Sequence, residues 1–82
     1  MKTALVVDDH PSVRMALKMT LEKIGFTHVD ECDNGAQAIN QIKKGKYNIV
    51  ILDIGIPNMD GMSVIAAVRK AEINTKILVF TS

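Results

Sequence analysis

One cysteine, two prolines, no tryptophan and 4% aromatic residues set the first limits on this 82-residue chain. A lone thiol, Cys32, cannot close an internal disulfide; it reads as a small buried hydrophobe and fits a reducing compartment. No apolar run approaches the roughly 20 residues that a membrane-spanning helix needs. Asp8 and Asp9 interrupt the first apolar run, which leaves no hydrophobic core for a secretory signal. Neither sign of charge dominates: ten Lys and Arg against nine Asp and Glu give a net charge of +1. Such a balance predicts neither a nucleic-acid nor a membrane surface. The chain also lacks repeats, linkers and low-complexity segments. The expectation is a single soluble, cytoplasmic domain over residues 1–82. With 48% hydrophobic residues it carries enough aliphatic side chains for a core. A chain this short buries only about 60% of its unfolded surface, so that core is marginal.

What is present alternates regularly. Thr3 to Val7 is an apolar strand that stops on Asp8-Asp9. Pro11 follows at a natural first helical position, with His10 or Asp9 as cap. Val13, Ala16, Leu17, Thr20, Leu21 and Ile24 then fall on one helical stripe, closed by Gly25. Met15 and Met19 lie on the other side. Thr27 to Asp33 predicts a short edge strand, with Val29 and Cys32 as its apolar positions. Asn34-Gly35 opens a second helix marked by Ala36, Ala38, Ile39 and Ile42. It ends at Lys43-Lys44, where lysines suit the negative end of the helix dipole. Ile49 to Asp53 is a strand with no polar alternation, as expected when both faces are buried. Asp60 caps a third helix from Gly61 through Val64, Ile65 and Val68 to about Ala71. Lys76 to Thr81 is a fourth strand. The order βαβαβαβ predicts an α/β fold: a parallel sheet with right-handed crossovers.

Parallel strands bring all their C-terminal ends to one edge, and ligand crevices of open α/β sheets lie there. Asp8, Asp9, Asp53 and Thr81 each stand at or just past such an end. Three converging carboxylates repel one another unless a cation sits among them. Hard oxygen ligands that leave room for water point to Mg²⁺ rather than a dedicated Ca²⁺ cage. Such an ion would offset charge on an attacking carboxylate and on phosphoryl oxygens. The Thr81 hydroxyl could then donate to a phosphoryl oxygen.

Val6-Val7-Asp8-Asp9-His10-Pro11, Ile51 through Gly61 (ILDIGIPNMDG) and Val79-Phe80-Thr81-Ser82 together closely resemble the receiver domain of bacterial two-component response regulators. The resemblance runs over the whole chain with the same order and spacing. The Asp-Asp-His-Pro variant is most similar to regulators with a LuxR-type helix-turn-helix output domain. The resemblance implies a flavodoxin-like (CheY-like) sheet of order 2-1-3-4. It implies that Asp53 takes a phosphoryl group from a sensor histidine kinase, in a Mg²⁺-dependent step that controls an output domain, a phosphoacceptor rather than a turnover enzyme. Asp9, Asp53 and the backbone carbonyl of Gly55 would hold the ion, with Asp8 acting mainly through a metal-bound water. Thr81 would be the switch hydroxyl and Ser82 the small residue beside it; Pro57 and Asp60-Gly61 would shape the loop into the third helix.

The pattern departs from the family in one respect. A receiver continues through a fourth helix, a fifth strand carrying a conserved lysine, and a fifth helix. The expectation is therefore a chain truncated after its fourth strand. Lys70 and Lys76 stand at the wrong ends of their elements to replace that lysine. The strand of Ile77-Leu78-Val79-Phe80 would present an open edge and the first helix an uncovered flank, which predicts a homo-oligomer. Two other readings stay open: a receiver-like module serving only in protein assembly, and an aspartyl-nucleophile phosphohydrolase. The latter typically places a second acid two residues after the nucleophile, where Gly55 stands.

Overall fold

This computed structural model describes residues 2–45, 47–56 and 61–81. Strands β1 (Thr3–Val7), β2 (His28–Cys32), β3 (Ile49–Asp53) and β4 (Lys76–Phe80) alternate with helices α1 (Pro11–Lys23), α2 (Gly35–Lys44) and α3 (Gly61–Lys70). All strand pairs are parallel, in the order β2-β1-β3-β4. The predicted α/β class and strand order are those observed. Val7 stands opposite Cys32 and Leu52, and Asp53 opposite Phe80, so the strand ends converge on one edge.

Local chemistry explains where the helices begin and end. Pro11 starts α1, and His10 is its cap residue but offers no side-chain capping bond. Gly25, at φ +111°, ends it in a backbone conformation that side-chain-bearing residues avoid. Asn34 caps α2 by accepting from the Gln37 N–H at 2.9 Å, and Lys43 and Lys44 occupy its last turn. The predicted cap Asp60, together with Pro57 and Ser82, lies outside the described residues.

Alternation along the strands divides the core in two. Leu5, Val7, Cys32, Val50 and Leu52 point to one face, where Ala38 and Ile42 of α2 and Val64 and Val68 of α3 cover them. Ala4, Val6, Val29 and Ile51 point to the other, where Leu21 of α1 packs against them. β1 and β3 are buried on both faces, consistent with their unbroken apolar runs.

The α1 stripe is shallower than its spacing predicts. Leu21 is buried, Val13 and Leu17 are half-buried, and Ala16, Thr20 and Ile24 are exposed. The physical reason is coverage: α1 packs against β1 and β2, and among the described residues no second helix packs closely beside it. Beyond it, Leu78 is 55% exposed, and Met15 and Met19 on the outer side of α1 are 63% and 56% exposed. Among the described residues no helix is long and apolar enough to cross a membrane.

Candidate functional site

The site is built from the C-terminal ends of β1 and β3. The β1–β2 ladder runs one residue past the strand, with the Asp8 N–H donating to the Cys32 carbonyl at 3.1 Å. That bond carries the Asp8 carboxylate into the interior, where the residue is completely buried. Its Oδ1 accepts from the His10 backbone N–H at 2.7 Å and lies 3.0 Å from His10 Nδ1. Its Oδ2 is buried with no hydrogen-bond partner among the described residues. A buried polar oxygen without a partner is costly, and a charged one more so.

Asp53 ends β3 and is 2% exposed. Its Oδ1 accepts from the Gly55 N–H at 2.9 Å. A Cβ at Gly55 would lie 3.6 Å from that oxygen, an ordinary contact, so packing alone does not demand glycine there. Asp9 is exposed beside them. Carboxylate oxygens of Asp8, Asp9 and Asp53 and a ring nitrogen of His10 all lie within 4.8 Å of one another.

Thr81 sits at the same edge. The Ile54 N–H donates to the Phe80 carbonyl at 3.0 Å, prolonging the β3–β4 ladder and leaving Thr81 exposed one residue beyond Asp53's partner. Lys76 opens β4 opposite Ile49 at the far edge of the sheet, and Lys70 ends α3.

Two residues enter the site that the motif reading does not place there. His10 was considered only as a cap. In the fold its Nδ1 lies 3.0 Å from both Asp8 Oδ1 and Asp9 Oδ1. The Asp8 hydrogen bond first, and the Asp9 charge next, raise its pKa against a smaller opposing desolvation. Arg14, one turn into α1, donates from Nη1 to the Asp8 carbonyl at 2.7 Å and from Nε to Glu31 at 3.2 Å. It ties the start of α1 to the ends of β1 and β2. Its helical spacing from His10 was the available signal, but only the fold shows which backbone it grips.

The donor set suits a divalent cation: hard carboxylate oxygens, one of them buried and orphaned, and an exposed side where water can complete coordination.

Comparison with known proteins agrees. Residues 4–82 match the response regulator receiver domain. The chain belongs to that family. A putative transcriptional regulator of Pseudomonas aeruginosa is 47% identical over 81 residues, covering 99% of this chain and 39% of the relative. This receiver thus spans about two-fifths of that protein's length. Among solved structures, response regulator TrrA of Thermotoga maritima in complex with Mg²⁺ and beryllofluoride is similar at 40% identity and TM-score 0.92. That match covers 99% of this chain and 70% of the other. The same regulator bound to histidine kinase ThkA matches at 39% identity and TM-score 0.90, over 100% of this chain and 70% of that one. The receiver fold of the sequence reading, with its CheY-like topology, is therefore established.

Proposed function

We propose that this receiver accepts a phosphoryl group on Asp53 from a histidine kinase, with Mg²⁺ held by Asp8, Asp9, Asp53 and the Gly55 backbone carbonyl. The observation that carries this reading is the buried, unpartnered Asp8 Oδ2 in a cluster that also contains Asp53. Bound there, Mg²⁺ supplies charge neutralisation for the carboxylates and for the incoming phosphoryl oxygens. The chain's own residues do the rest. An Asp53 carboxylate oxygen attacks phosphorus, and the bond from phosphorus to the kinase histidine nitrogen breaks as the new O–P bond forms. Asp53 is held for that attack by the Gly55 N–H. Thr81, at the end of the adjacent strand, donates its hydroxyl to a phosphoryl oxygen. The acyl phosphate is later lost to water, so the receiver's own chemistry is limited to self-phosphorylation and self-dephosphorylation. A kinase donor supports a cytoplasmic setting, and the similarity to transcriptional regulators supports control of an output domain for transcription.

Incubation with acetyl phosphate and Mg²⁺, read by intact mass, tests the proposal. Gain of one phosphoryl group in the wild type and none in Asp53→Asn is expected. Modification that persists in Asp53→Asn, or none at all in the wild type, would overturn it.

A second reading, self-association, has its own support. Leu78, Val79, Met15 and Met19 form exposed apolar surface on β4 and α1, and the outer edge of β4 is unpaired among the described strands. Such surface favours a homo-oligomer or the kinase contact. Light scattering at rising concentration separates them; a monomer throughout excludes self-association.

A further inference from the structure

We propose that His10 is a nitrogen ligand in the same cation site, strengthening this receiver's preference for Co²⁺ and Zn²⁺ over Mg²⁺ beyond what carboxylates alone confer. The inference rests on reading the acidic cluster as a cation site, and adds to it a residue that sets which cation binds.

The geometry is specific. His10 Nδ1 lies 3.0 Å from Asp8 Oδ1 and 3.0 Å from Asp9 Oδ1. Two ligands each about 2.1 Å from an ion and at right angles to one another are about 3.0 Å apart. Opposed ligands would be about 4.2 Å apart, inside the 4.8 Å spread of the four donor atoms. Without an ion, Nδ1–H donates to these carboxylates; the same spacings are those of ligands sharing one ion, and the ring nitrogen lies within reach of all three acids. It is held there: the His10 backbone N–H is fixed on Asp8 Oδ1 at 2.7 Å, and Pro11 follows immediately with a fixed φ. The buried and unpartnered Asp8 Oδ2 is the independent sign that the cluster requires a cation.

Ligand chemistry then sets the preference. Carboxylate and water suit Mg²⁺, whereas imidazole suits Zn²⁺ and its neighbours in the transition series. An entering ion replaces the Nδ1 proton, and the ring turns that lone pair onto it. Because the imidazole is half-exposed, at 56% of its side-chain surface, it can do so without repacking the core.

The chain has two histidines, and His28 lies at the start of β2, on the far edge. A His28→Asn background therefore assigns any imidazole signal to His10. Two measurements test the proposal. In competition titrations, His10→Ala should lower the ratio of Co²⁺ to Mg²⁺ affinity at least about tenfold. Electron spin echo modulation of the Mn²⁺-loaded His28→Asn protein, with His10 intact, should show directly bound ¹⁴N coupling. An unchanged affinity ratio together with no ¹⁴N coupling would overturn the proposal while leaving a Mg²⁺ site standing. Binding of neither Mg²⁺ nor Co²⁺ to the wild type would overturn both this inference and the cation reading beneath it.

Discussion

The two faces of the sheet are built to different standards. On one, α2 and α3 lie side by side and close over Leu5, Val7, Val50 and Leu52, all fully buried. On the other, α1 works alone: Leu21 packs down, while Ile24 is 64% and Leu78 55% exposed. The edge that carries the candidate site draws on both faces, since Asp8 follows β1 and Asp53 ends β3, the two strands that both faces bury. The difference teaches that the strands carrying the site's acids are anchored more fully on the two-helix face, and that the one-helix face leaves apolar side chains open to solvent.

The contrast can be broken by truncation. Leu52→Ala on the two-helix face should cost about 3–5 kcal/mol, near the total stability of a small domain. Leu21→Ala on the other should cost about 2 kcal/mol, because its partly open site can relax. Chemical denaturation of both variants checks the order; equal losses would show that the faces are equivalent.

Next in size is Gly61→Ala. A Cβ there would lie 2.6 Å from the Ile54 backbone, so the start of α3 must shift. A loss of about 1–3 kcal/mol is expected, measured the same way. Gly55→Ala, with its 3.6 Å contact, should cost well under that. A null effect of Gly61→Ala would mean that α3 is not seated on β3 as closely as described.

A pH scan sharpens the comparison further. On the two-helix face burial raises the pKa of the Cys32 thiol. Desolvation, then the 2.6 Å hydrogen bond to Asp30, raise that of the Tyr47 phenol well above its ordinary range. Both groups hold their protons more tightly when folded. Their stabilisation is therefore complete below the ordinary thiol and phenol values, about 8.5 and 10, and is lost as pH rises through and above them. Thermal melts from neutral pH to pH 11 should show that decline, and Tyr47→Phe should flatten its upper part. A slope unaltered by that substitution would assign the decline elsewhere.

The smallest expected effect on stability is that of Leu78→Lys, within about 0.5 kcal/mol for an exposed position. It should nonetheless abolish any self-association through the one-helix face, as read by light scattering.

Much of this was legible before any fold. A short unbroken run such as Ile49–Asp53, bounded by turn residues, reads as a doubly buried strand, and a terminal acid is least costly at its edge. Asn34 and Gly25 mark helix ends through backbone chemistry that acts within a few residues. From these local rules the element order follows, and from the element order the edge that gathers Asp8, Asp9, Asp53 and Thr81. The α1 stripe was read too generously because periodicity says which side chains share a face, not whether anything covers it. Only the packed sheet decided that Leu21 is inside and Ile24 is not. Only the packed sheet, too, could bury Asp8 with one oxygen orphaned, swing His10 against two carboxylates and set Gly61 on the Ile54 backbone. Sequence fixes which groups reach the edge because strand direction and chain order are local and topological. The distances between those groups depend on side chains from separate strands and helices meeting in space, and that is settled by tertiary packing alone.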